Sequence, residues 1–83
     1  MTQTPTAPPT PAATAGPVLV VGAGLLGASI GLGLRHLGVD VWLQDSSPTA
    51  EAVAQDIGAG RSCRAAGQDR VPEPALVVVA TPP

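Results

Sequence analysis

Six residues, G-A-G-L-L-G from Gly22 to Gly27, narrow the choice of fold more than anything else in this 83-residue chain. They follow a short apolar run, Val18 to Val21, of the kind that forms a central strand covered on both faces. They precede a stretch from Leu25 to Leu37 in which Leu26, Ile30, Leu34 and Leu37 recur at helical spacing. Gly38 supplies a stop for that helix. A turn so rich in glycine between a buried strand and a helix does separate jobs at each glycine. Gly22 permits the tight exit from the strand, Gly24 leaves the backbone open to close approach, and Gly27 lets the helix lie against the strand.

Downstream, Val39 to Gln44 alternates Val39, Val41 and Leu43 against Asp40, Trp42 and Gln44, the pattern of a second strand, and Asp45 ends it. Ser46, Ser47 and Pro48 read as a helix start, with the helix running from about Thr49 to Ile57 and ending at Gly58 and Gly60. The stretch from Arg61 to Asp69 is ambiguous, with a short strand expected around Ser62 to Arg64. Pro72 and Pro74 break the chain, and Ala75 to Ala80 reads as a further strand, buried on both faces. This alternation predicts an α/β fold with a parallel sheet and right-handed crossovers, read as a Rossmann-type sheet of which residues 17–83 form an incomplete β-α-β-α-β half, and the Rossmann arrangement has the strand order 3-2-1-4. Residues 1–16, with five Thr and four Pro and no periodicity, read as a disordered tail.

A strand, the glycine loop, a helix, a second strand and an acid eighteen positions beyond Gly27 together meet the context that a dinucleotide-binding fingerprint requires. The free N–H groups around Leu25 and Leu26, at the positive end of the helix dipole, would face the pyrophosphate. Asp45 would accept hydrogen bonds from the ribose hydroxyls and repel a 2′-phosphate. No Arg or Lys occurs between Asp45 and Gly60, so NAD is the expected cofactor, although Ser46 and Ser47 could serve a 2′-phosphate. Thr81 and Pro82 follow the last strand at its C-terminal end and would edge the crevice where the strand order reverses. The expected cofactor-binding residues are thus Gly22, Gly24, Leu25, Leu26, Gly27, Asp45, Thr81 and Pro82.

Composition removes several other functions. Four Arg, no Lys and six acidic residues leave a net charge of −2, with no basic field for nucleic acid. Cys63 is the single cysteine, so neither an internal disulfide nor a cysteine-rich metal site is expected. No charge precedes Arg35, which raises a membrane helix as an alternative. The apolar run from Val18 to Leu34 is shorter than the ~20 residues that span a bilayer, and each of its glycines has a reason in the soluble reading. No basic region precedes an apolar stretch as in a secretory signal, so the cytoplasm is expected. His36 reads as a surface residue of a last helical turn, Cys63 as a structural or exposed thiol, and Arg61, Arg64 and Arg70 as solvated loop charges.

With these motifs in hand, the chain resembles the prephenate dehydrogenase family. The likeness rests on G-A-G-L-L-G-A-S-I at Gly22 to Ile30, Q-D-S-S-P at Gln44 to Pro48 and V-V-V-A-T-P-P at Val77 to Pro83. The resemblance implies oxidative decarboxylation of prephenate, or of arogenate in some members, with NAD as hydride acceptor. It also implies a helical C-terminal domain, absent from this sequence, that dimerises and carries the catalytic residues. By that token these 83 residues are expected to be inactive alone. Two other readings share the residues: an FAD-dependent oxidase, in which the acid after the second strand is usually Glu, and a non-catalytic NAD-sensing module.

Overall fold

The computed structural model describes residues 16–81. The expected disordered tail, apart from Gly16, and the expected contact at Pro82 lie outside the described residues.

Four strands form one parallel sheet in the order β3-β2-β1-β4, the arrangement expected of the Rossmann-type reading. They are β1 (Val18–Val21), β2 (Val41–Gln44), β3 (Arg61–Ser62) and β4 (Leu76–Val79), and the helices between them are α1 (Leu25–His36), α2 (Pro48–Asp56) and the single-turn α3 (Cys63–Ala66). A 3-10 turn, Gln68–Arg70, leads on toward β4. At the centre of the sheet, β1 runs Val18 to Val21 beside Val41 to Gln44 on one edge and beside Leu76 to Val79 on the other. Because all strands point the same way, the C-terminal ends of β1, β2 and β4 emerge together. The glycine loop leaves from that edge.

Val20, Val41 and Leu43 are fully enclosed and, with Val18, Ala23, Val39, Ala54 and Ala59, form the core. The sheet meets α1 through its glycines. Gly27 and Gly31 are the buried residues of that helix, with Ile30 and Leu34 packed partly against the core. The leucine stripe therefore does not coincide with the buried face. Leu26 and Leu37 are 61% and 60% exposed, because the close glycine contact centres the helix on Gly27 and Gly31 and turns its flanking leucines outward. A Cβ on Gly27 would stand 1.6 Å from the Gly22 carbonyl oxygen, and one on Gly31 would stand 2.3 Å from that of Ala59.

Three expectations for the other strands need correction. The strand anticipated near Ser62 to Arg64 is Arg61–Ser62, and Cys63 and Arg64 open α3 instead, because the Ser62 hydroxyl accepts from the Ala65 N–H at 3.0 Å and caps that turn. The second strand, expected from Val39, begins at Val41, and its Trp42 is buried, with the Arg61 guanidinium 5.6 Å above the ring. The last strand is not buried on both faces. Leu76, Val77 and Val79 are all more than two-fifths exposed, since β4 packs chiefly against β1 and the described helices give its two faces little cover. An apolar run reports that a strand suits a covered position, not that the cover lies within the same residues.

The second helix begins as its residues dictate: Ser47 accepts from the Ala50 N–H at 3.2 Å, and Pro48 occupies the first turn. Its inward face carries Ala54 and, one turn earlier, the carboxylate of Glu51, which is 2% exposed.

Candidate functional site

The turn from β1 into α1 is shaped by Gly22, whose φ of +103° is a conformation that side chains disfavour. A Cβ there would also meet the Thr81 methyl at 2.9 Å, so the loop after β1 and the end of β4 are packed directly together. At the helix start no side chain caps Gly24, and a Cβ added to Gly24 would meet nothing within 4 Å. The first-turn amides of α1 therefore lie open at the positive end of the helix dipole.

Asp45 closes the loop from the β2 side. Its Oδ2 accepts from the Ala23 N–H at 2.5 Å and its Oδ1 from the Ser47 N–H at 2.7 Å. A carboxylate offers about four acceptor positions, so each oxygen retains one. The amide bonds from Ser47 and Ala23 hold the Asp45 carboxyl below its ordinary range against the opposing effect of burial, with the Arg64 charge adding to the downward shift. The group is anionic at neutral pH.

Between these parts lies an open crevice of about 600 Å³ lined by Gly22, Gly24, Leu25, Leu26, Asp45, Ser46, Ala80 and Thr81. The fold thus brings six of the eight residues expected from sequence to one cavity. Gly27 lies beneath it, against the Gly22 carbonyl, and Pro82 falls outside the described residues. Leu25 stands 89% exposed at the mouth. A contiguous hollow of about 390 Å³ shares Gly22, Asp45, Ser46 and Thr81, and its far wall is Arg64.

Arg64 corrects the reading of the loop arginines as solvated charges. Its Nη1 donates to the Glu51 Oε1 at 3.1 Å and its Nη2 to the Asp45 carbonyl at 3.2 Å. Glu51 in turn has every acceptor position filled. Its Oε1 also accepts from the Asp45 N–H at 2.9 Å, and its Oε2 accepts from the Arg64 N–H at 2.9 Å and from the Ser62 hydroxyl. Burial pushes the Glu51 carboxyl upward. The bonds from Ser62, Arg64 and Asp45, with the Arg64 charge, outweigh that and hold it below the usual glutamate range. Cys63 beside this network moves the other way, its thiol raised by burial and by the Glu51 charge, so the neighbouring arginines do not activate it. Glu51 and Arg64 escaped the sequence reading because no periodic pattern distinguishes a buried, fully bonded acid from an exposed one.

Since the folded-state value of Glu51 is depressed, the folded protein binds fewer protons there than the unfolded chain. Its contribution is complete well above the ordinary glutamate value of about 4.3 and is lost as pH falls through the folded-state value. The urea midpoint is therefore expected to hold steady near pH 6–7 and to fall in acid below about pH 4.3. In Glu51→Gln that acid-side fall should be shallower, and equal slopes would show that Glu51 does not carry it.

A parallel sheet with a glycine loop at its carboxyl edge, an uncapped helix start and an anionic acid after the second strand defines a Rossmann-type α/β unit. Over 66 residues the chain is 44% identical to a curated protein, "Probable prephenate dehydrogenase NovF" of Streptomyces niveus, and this segment is prephenate dehydrogenase-like. The match takes in 78% of the chain but only 17% of that relative's length. No family model matches the chain, and no solved structure does. No described helix is long and apolar enough to cross a membrane, and the run from Val18 to Leu34 is divided among β1, the glycine loop and α1.

Proposed function

We propose that this segment binds NAD across the crevice at the carboxyl edge of β1, β2 and β4, as the dinucleotide-binding part of a prephenate dehydrogenase. The observation that carries the reading is Asp45, an anionic carboxylate tied to the glycine loop through the Ala23 N–H with one acceptor position left on each oxygen. Such a group can receive the two hydroxyls of an adenosine ribose and would oppose a 2′-phosphate. The open space over Gly24 fits a pyrophosphate, which the first-turn amides at Leu25 and Leu26 would hold, with Thr81 edging the crevice.

NAD, when bound, supplies the hydride acceptor. On this reading the intact protein oxidises prephenate or arogenate with loss of carbon dioxide, in the cytoplasm, as a homodimer. His36 ends α1, at the opposite edge of the sheet from the crevice, and is no candidate for the proton acceptor. That acceptor and the cation for the substrate carboxylates would come from outside the described residues.

The test is cofactor choice. The intact protein should prefer NAD over NADP in kcat/KM, and Asp45→Asn should lower the NAD value at least tenfold while narrowing that preference. A natural preference for NADP would overturn the assignment of Asp45.

A further inference from the structure

We propose that Glu51 is a specificity-determining residue of the cofactor site, acting by holding Arg64 away from the place a 2′-phosphate would occupy. The inference rests on the dinucleotide reading above and goes beyond it, because Glu51 itself does not line the crevice.

Arg64 is the cation among the described residues that lines the adjoining hollow, which it shares with Asp45, Ser46 and Thr81 of the crevice. Its side chain is half exposed, and an arginine beside the acid that ends β2 is the group that accommodates a 2′-phosphate in sites selective for NADP. Here that charge is already engaged. One terminal nitrogen is bonded to a carboxylate that is 2% exposed, and the other to the Asp45 carbonyl, so the guanidinium is held at two points just beyond the carboxyl end of β2. Glu51 cannot easily release it. A buried carboxylate needs its countercharge, and the remaining donors to Glu51, from Asp45, Ser62 and the Arg64 main chain, are neutral. Moving Arg64 toward a cofactor phosphate would leave Glu51 charged, enclosed and without a cation. Discrimination against NADP is therefore built in two layers: Asp45 repels the phosphate from the surface, and Glu51 beneath it withholds the arginine that would attract it.

Neutralising Glu51 should free Arg64 for the ligand. Calorimetric titration of the intact protein with NAD and NADP should show Glu51→Gln lowering the Kd ratio of NADP to NAD about tenfold. Adding Arg64→Met to that variant should return the ratio to within threefold of the unmutated value, since the gain depends on the released guanidinium. A purely structural role for Glu51 would lower thermal stability without moving the ratio. If Glu51→Gln leaves the ratio within threefold, or if the shift survives in the double variant, the proposal is overturned. If Glu51→Gln does not fold, Arg64→Met alone decides. A ratio within threefold agrees with a sequestered arginine, and a tenfold selective weakening of NADP shows that Arg64 already serves the phosphate and overturns the idea. Failure of the unmutated protein to bind either dinucleotide would overturn the underlying reading and this inference with it. NAD binding with an unmoved ratio would overturn this inference alone.

Discussion

Alanine at position 27 is expected to cost about 3 kcal/mol of stability and to lower the Tm of the intact protein by roughly 6–12 °C, although only one methyl group is added. The added Cβ would stand 1.6 Å from the Gly22 carbonyl oxygen and 2.8 Å from its carbon, and both are main-chain atoms of the turn that leaves β1. A side chain could swing aside; this backbone cannot move without disturbing the φ of +103° at Gly22 and the contact between that turn and Thr81. Relief must come from lifting α1 off the sheet, which would open the apolar contacts of Ile30 and Leu34 with the core. Helix propensity works in the opposite direction, favouring Ala over Gly by about 1 kcal/mol, and is too small to compensate. Thermal melts of the intact protein and its Gly27→Ala variant measure the difference. A variant as stable as the parent would mean that α1 does not lie this close to β1.

Three residues earlier in the same loop, the opposite outcome is expected. Gly24→Val should weaken NAD binding a hundredfold or more, a loss of about 2.7 kcal/mol, while the fold survives. Its backbone, at φ −72° and ψ −162°, is extended and open to any residue, and a Cβ there touches nothing within 4 Å. The stability cost is confined to the poorer helix cap that valine makes, about 0.5–1 kcal/mol. The branched side chain would instead fill the space between the loop and the open first-turn amides, where the pyrophosphate is proposed to sit. Calorimetry with NAD alongside a thermal melt separates the two effects. Binding within twofold of the parent would remove Gly24 from the site, and a collapse of Tm comparable to that of Gly27→Ala would make its role structural.

The contrast between these glycines shows what a sequence carries and what it leaves out. The spacing from Gly22 to Gly27, with Val18 to Val21 before it and Asp45 after it, is enough to place strand, loop, helix and acid, because each element follows from local preference and short-range periodicity. Alternation with right-handed crossovers makes the sheet parallel, and the order β3-β2-β1-β4 is the one that belongs to the Rossmann-type arrangement the glycine loop signals. Other features depend on contacts that periodicity does not encode. Glu51 is buried only because donors from the end of β2, from Ser62 and from Arg64 converge on it across two turns, and in the sequence it stands as an ordinary helical glutamate. Leu26 and Leu37 fit an apolar stripe, yet they are displaced from the sheet by a glycine contact tighter than any leucine could make. The openness of β4 has the same origin, since composition reports a strand's affinity for cover and not which neighbours supply it.

The position of β1 has a consequence for the order in which this unit is made. It is the first strand among the described residues and an inner strand of the sheet, and its two partners lie at different removes: Val18 pairs with Val41 after one helix, but with Leu76 only after α2, β3 and α3 have all intervened. As a chain emerges from the ribosome, one flank of β1 can be satisfied early, whereas the other must wait for nearly the whole segment. The crevice needs both flanks, because Thr81 reaches Gly22 only when β4 is in place. The pocket is therefore the last part of the unit to exist, and a nucleotide settling there would act as a latch on a finished assembly rather than as a template for building it.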